Sequence, residues 1–238
     1  MRRLAFLLFT LTALMSPPLH AGELVVLLHG LCRSPRSMAK MEAHLRSEGF
    51  EVLNVGYPSR KDPIENLAEE AIGQALTTPE AVRAERIHFV THSMGGILVR
   101  DYLERHTPDR LGRVVMLGPP NQGSEIVDAL GSWRVFGLLN GPAGRQLGTD
   151  PGARPLQLGP ARFEVGIIAG DRSINWINSC IIPGPDDGKV SVERTRLAGM
   201  KDHLVVHATH PFLMRNREVL RQTVHFLRHG SFSRPATP

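Results

Sequence analysis

The chain has 238 residues, 42% hydrophobic and 21% charged, the ordinary balance of one globular domain with a sizeable core. Its formal net charge is +5. Two of the positive charges, Arg2 and Arg3, lie in a segment expected to be removed, so the excess is too small to argue for a nucleic-acid partner.

Met1 to Ala21 has the organisation of an export signal. Arg2-Arg3 is the basic start, Leu4 to Met15 the apolar core, and Ser16-Pro17-Pro18 a break before Ala21. The apolar run is short for a transmembrane helix. The expectation is a mature chain starting near Gly22, periplasmic or secreted. Leu19 is a poor fit to a cleavage site, which keeps an uncleaved membrane anchor as the alternative.

Leu24-Val25-Val26-Leu27-Leu28 is a continuous apolar run, the pattern of a strand buried on both faces. It ends in His29-Gly30-Leu31, where the glycine lets the backbone turn and aim an amide over the strand ends. His29 reads as a buried histidine propping that loop. Helical patterns over Ser37–Glu48 and Pro63–Leu76 flank a strand at Glu51–Val55. A third strand, Arg86–Val90, leads through Thr91-His92-Ser93-Met94-Gly95-Gly96 into a helix over Met94–His106. Strand, sharp turn and helix place a serine at an apex with strained dihedrals and a hydroxyl clear of the sheet. The bland alternative is a serine that only caps the helix.

A serine hydroxyl becomes a nucleophile only with a general base, a carboxylate to orient that base, and fixed donors for the developing oxyanion. The backbone N–H groups of Leu31 and Met94 are the expected donors, Met94 with the help of the helix-end dipole. Strands at Arg113–Leu117 and Phe163–Ala169 enclose a glycine- and proline-rich segment, Gly131 to Pro160, that carries Trp133, Val135, Phe136, Leu138, Leu139 and Leu147. Three acids then compete to orient the base: Asp171 at a strand end, and Asp186 and Asp187 before a glycine turn. The last strand, Leu204–Val206, precedes His207-Ala208-Thr209-His210, with Pro211 as the expected first residue of a final helix and Phe212–Arg228 as its body. His203, His207 and His210 are the base candidates. Ser231 to Pro238 is polar and expected to be disordered.

Strands alternating with helices imply a mostly parallel six-stranded sheet covered on both faces, an α/β fold with its site at the carboxyl ends of the strands. Cys32 and Cys180 would face an oxidising compartment. Their strands are expected to end about 14 Å apart, whereas a disulfide needs Cα atoms within about 7 Å. No His-Glu-x-x-His, Cys-x-x-Cys, Gly-x-Gly-x-x-Gly or Gly-Lys-Ser/Thr spacing is present, so no metal or other cofactor is expected.

Together, Thr91-His92-Ser93-Met94-Gly95-Gly96, His29-Gly30-Leu31 and Asp186-Asp187-Gly188-Lys189-Val190-Ser191 resemble the α/β-hydrolase superfamily, in particular its small bacterial lipases and esterases. The resemblance covers nearly the whole mature chain, 22–230, in a minimal six-stranded version. Thr91 departs from the Gly-x-Ser-x-Gly form. The resemblance implies a Ser-His-Asp triad of Ser93, His210 and Asp187. It also implies a pocket shaped by Pro119 to Ser124 and a cap or acyl-binding wall in 131–160, unless those apolar residues simply tuck onto the core. The implied activity is hydrolysis of a small-molecule or lipid carboxylic ester, with transient contact to a lipid surface. An acyltransferase or thioesterase would use the same triad, and a non-catalytic binding protein could share the fold.

Overall fold

A six-stranded, wholly parallel sheet in the order β2-β1-β3-β4-β5-β6 organises the computed structural model, which describes residues 22–131 and 134–234. The export segment 1–21, Trp133 and the last four residues of the tail lie outside the described residues. The strands are β1 Glu23–Leu28, β2 Glu51–Val55, β3 Arg86–His92, β4 Leu111–Leu117, β5 Val165–Gly170 and β6 Asp202–Val206. Each coincides with an apolar run in the sequence. β3 runs on through Thr91 and His92, so that Ser93 follows the strand directly.

The helices are α1 Ala39–Ser47, α2 Ile64–Leu76, α3 Pro79–Arg83, α4 Met94–Arg105, α5 Glu125–Gly131, α6 Arg134–Arg145, α7 Arg154–Gln157, α8 Trp176–Ile181 and α9 Arg217–His229. Alternate residues of β1 to β5 feed two separate cores. Leu24, Val26 and Leu28 of β1 face α2 and α4 through Leu67, Ile72, Ile97 and Leu98. Val25 and Leu27 face the other way, toward Met41 and Leu45 of α1 and Val219, Val224 and Phe226 of α9.

Several elements differ from the sequence reading. The Gly131–Pro160 segment is largely helical. Its glycines and prolines fall at breaks: Gly141 (φ 67°) interrupts α6 just before Pro142, and Pro155 lies in the first turn of α7, where a missing N–H is tolerated. Ala143 and Leu147 of this segment are buried in the α2/α4 core, whereas Leu138 and Leu139 stand exposed. Pro211 does not start the last helix. It belongs to a 3-10 turn, His210–Arg215, and α9 begins after Asn216, whose side chain accepts from the N–H groups of Glu218 (2.8 Å) and Val219 (3.3 Å). The start of the supposedly disordered tail packs down: Phe232 is buried 5.0 Å from the Phe226 ring, and Arg234 pairs with Asp202 at 2.6 Å.

Two features of the sheet set the site. The chain runs outward from β1 to β2 and then returns to β3 on the other side of β1. The loops after β1 and β3 therefore diverge and leave a crevice at their carboxyl ends. In addition, β3 and β4 shift register between Ile87 and Phe89, where Ile87 pairs with Leu111 but Phe89 with Val114. Buried His88 fills this irregularity. Its Nδ1 accepts the Arg113 N–H (2.8 Å), and Gly112 lies so close that a Cβ there would stand 2.7 Å from the same nitrogen.

Candidate active site

Ser93 sits at φ 55°, ψ −125°, a backbone conformation that costs a non-glycine residue about 1–3 kcal/mol and persists only when its surroundings impose it. The Ser93 N–H donates to the Leu117 carbonyl at the end of β4 (2.8 Å), and the Ser93 carbonyl accepts from Gly96 (3.0 Å). Close approach explains both glycines nearby. A Cβ on Gly95 would lie 2.7 Å from the Leu28 carbonyl oxygen, and one on Gly30 would lie 3.0 Å from the Ser93 Cβ. Thr91 is fully buried within β3, and its hydroxyl has no partner among the described residues.

His210 Nε2 lies 3.0 Å from Ser93 Oγ, and His210 Nδ1 lies 2.7 Å from Asp187 Oδ2. An ionised carboxylate only accepts, so Nδ1 carries the proton and the Nε2 lone pair faces the serine hydroxyl. The other Asp187 oxygen accepts the N–H groups of Lys189 (3.0 Å) and Val190 (2.9 Å), which leaves a buried carboxylate fully hydrogen-bonded. The backbone reinforces the pair, since the His210 N–H donates to the Asp187 carbonyl (2.8 Å).

Nothing in the sequence pattern singles out His92, yet its Nε2–H donates to the His210 carbonyl at 2.9 Å. Burial holds its imidazole well below the usual histidine range, so it is neutral with Nε2 as the protonated nitrogen. The only sequence signal for it is its place beside Ser93 at the end of β3.

The rival candidates lie elsewhere. Asp171 pairs with His207 (2.9 Å) on the surface, a contact whose histidine is 73% exposed. Asp186 is buried rather than a solvated turn acid. It accepts from the Gly188 N–H (2.7 Å) and the Ser179 hydroxyl (3.0 Å), which folds the turn that presents Asp187. His203 meets the Thr195 hydroxyl at 2.9 Å, and burial brings its pKa down to about 4. His29 is buried and stacked on Tyr57 (ring centroids 4.1 Å), whose hydroxyl donates to the His29 carbonyl.

Met94 is the first residue of α4, so its N–H has no acceptor within the helix. Leu31 lies in a turn closed by the Arg33 N–H on the Gly30 carbonyl (3.2 Å), with Cys32 at φ 56°. A cavity of about 280 Å³ opens over Ser93 and His210, with Leu31, Ile126, Val127, Leu147 and Val190 among its walls. Cys32 and Cys180 are free and exposed. Among the described residues no group of three or more His, Cys, Asp or Glu side chains is arranged to hold a metal ion, and no helix is long and apolar enough to cross a membrane.

A family model described as the α/β-hydrolase fold matches residues 23–145, from β1 through α6. The chain belongs to the α/β-hydrolase fold family. Among solved α/β hydrolases, the mature form of the Bacillus licheniformis lipase BlEst2 is similar with a TM-score of 0.70 at 18% identity, over 87% of this chain and 93% of that one. Phospholipase PlaB from Legionella pneumophila, in complex with thio-NAD, gives 0.62 at 16%, over 87% and 62%. The metagenomic carboxyl esterase MGS0156 gives 0.60 at 20%, over 80% and 65%. At such identities the likeness is one of fold. No curated protein sequence matches this chain.

Proposed function

We propose that this α/β hydrolase cleaves carboxylic esters through an acyl-enzyme on Ser93. The observation that carries the reading is the hydrogen-bonded chain from Ser93 Oγ through His210 (3.0 Å) to Asp187 (2.7 Å), built on a strained turn at the mouth of an apolar cavity. Ser93 Oγ attacks the acyl carbon as His210 Nε2 takes its proton, and Asp187 stabilises the imidazolium. The N–H groups of Leu31 and Met94 receive the oxyanion. His210 then protonates the leaving alcohol. A water molecule, deprotonated by His210 in turn, attacks the acyl carbon and releases the acid and free Ser93. No step requires a cofactor.

The apolar side chains of Ile126, Val127, Leu147 and Val190 suit the acyl portion. The fold shared with proteins described as lipase, phospholipase and carboxyl esterase supports the same substrate class. The reading includes export, with residues 1–21 removed, supported by the basic start and apolar core of that segment. N-terminal sequencing of the exported protein should begin near Gly22.

A serine-directed fluorophosphonate should label the wild-type protein and leave Ser93→Ala unlabelled. A folded wild-type protein that resists labelling would defeat the proposal. Esters from acetate to long-chain acyl then rank the pocket, and an added alcohol acceptor with product analysis separates hydrolysis from acyl transfer.

A further inference from the structure

We propose that the ester cleaved here carries an anionic group, a phosphate or a carboxylate on its alcohol portion, held between Arg33 and Lys189. This names the substrate class of the site just described and rests on the ester-hydrolase reading. Arg33 and Lys189 both line the cavity that contains Ser93 and His210, and among the described residues no Asp or Glu lines it. Asp187 is buried, with both of its oxygens engaged. Several other arginines of this chain pair with acids, as in Arg46–Glu42, Arg105–Glu69, Arg113–Glu164 and Arg221–Glu218. Among the described residues no acid pairs with Arg33 or Lys189. The mouth of the cavity therefore presents two positive charges without a counter-charge, and a concave, partly apolar site focuses such a field.

The two cations stand on fixed backbone. The Lys189 N–H is bonded to Asp187 Oδ1, and the Lys189 carbonyl accepts the Ser124 hydroxyl at 2.8 Å. The Arg33 N–H closes the turn onto Gly30. They also come from opposite sides. Arg33 follows β1 and Lys189 follows β5, with Ser93 after β3 between them. Strand spacing puts those two strand ends about 14 Å apart, with the nucleophile in the gap. Both residues are exposed at the rim, while the apolar walls Ile126, Val127 and Leu147 lie in the cavity. The acyl chain thus takes the apolar wall, and the charged alcohol portion stays at the rim. A guanidinium fork and an ammonium together suit a phosphate or carboxylate. The anion is untouched by the reaction, which breaks only the acyl C–O bond.

The test compares 1-butyrylglycerol 3-phosphate with 1-butyrylglycerol, the same ester with and without the anion, on the full-length protein. At low salt kcat/KM should favour the phosphate ester by about tenfold or more, and the preference should shrink as salt rises. The double variant Arg33→Gln/Lys189→Gln should bring that ratio close to one, and Arg33→Lys should keep most of it. Equal kcat/KM for the two soluble esters together with no preference between the vesicles described below, or a preference unchanged in the double variant, overturns the inference while ester hydrolysis stands. Failure to cleave either ester, or p-nitrophenyl butyrate, overturns the ester-hydrolase reading and this inference with it. A parallel comparison of phosphatidylglycerol with phosphatidylcholine vesicles separates the sources. Preference only in vesicles assigns the anion to a lipid headgroup, and preference in the soluble pair assigns it to a free phosphate ester.

Discussion

Asp187 gives one oxygen to the His210 imidazole and the other to two backbone amides, so its carboxylate is held in a single orientation against the proposed base. An asparagine there can present an amide to Nδ1 and favour the wrong tautomer. Asp187→Asn should therefore lower kcat about 10⁴-fold, as loss of a triad carboxylate does. Asp171→Asn breaks only the surface pair with His207 and should retain most activity. Steady-state kinetics on a p-nitrophenyl ester checks both, and the reverse ranking would move the orienting acid to Asp171. Ser93 was legible because an elbow serine needs a strand before it and small residues after it. The acid was not fixed by spacing. Asp186 and Asp187 are adjacent in sequence, and their difference lies in which way each carboxylate turns: Asp186 into its own turn, Asp187 toward His210. His92 left still less trace, because a side chain bonded to a backbone carbonyl 118 residues away has no local signature.

At the scale of elements, α4 carries both the turn of Ser93, the proposed nucleophile, and a buried guanidinium that organises the loops beside it. Arg100 donates to the Asn121 carbonyl (2.9 Å), to Asn121 Oδ1 (3.2 Å), and to the carbonyls of Pro155 and Leu158 (3.0 Å each). Burial lowers its pKa only to about 10, so it stays charged at neutral pH. This one residue ties the Pro119–Ser124 loop and the end of α7 to the helix behind Ser93. Arg100→Ala would orphan those carbonyls and should destabilise the protein by about 3 kcal/mol, read as a lower urea midpoint. The strands and the long helices α1, α2, α4 and α9 could be read from their apolar patterns. The short helices α3, α5, α7 and α8 could not, since each holds only 4–7 residues, too few for a helical period to stand out from turn signals.

For the whole molecule, the histidines make stability depend on pH. Burial lowers the pKa of His88 and His203 to about 4 from an ordinary 6.5, and His29 and His92 are lowered as well. Between those values the unfolded chain binds protons that the folded chain does not. Stability is therefore full above about pH 6.5 and falls as pH drops toward 4, at up to about 1.4 kcal/mol per pH unit for each histidine. Urea midpoints should be lower at pH 4.5 than at pH 7. Midpoints that stay flat or increase as pH falls from 7 to 4.5 would contradict the neutral, buried state of these groups.

His88 also bears on the nucleophile through geometry. It fills the register shift at the start of β3, against Gly112, while Ser93 hangs by its own N–H from the last residue of β4. The same pair of strands thus carries the irregularity at one end and the proposed nucleophile at the other, five residues or about 17 Å further on. In a parallel ladder an offset at one end is conserved along its length. The height at which Ser93 meets Leu117, and hence its alignment with the histidine that follows β6, is set at the opposite end of β3 and β4, well outside the cavity proposed for the chemistry.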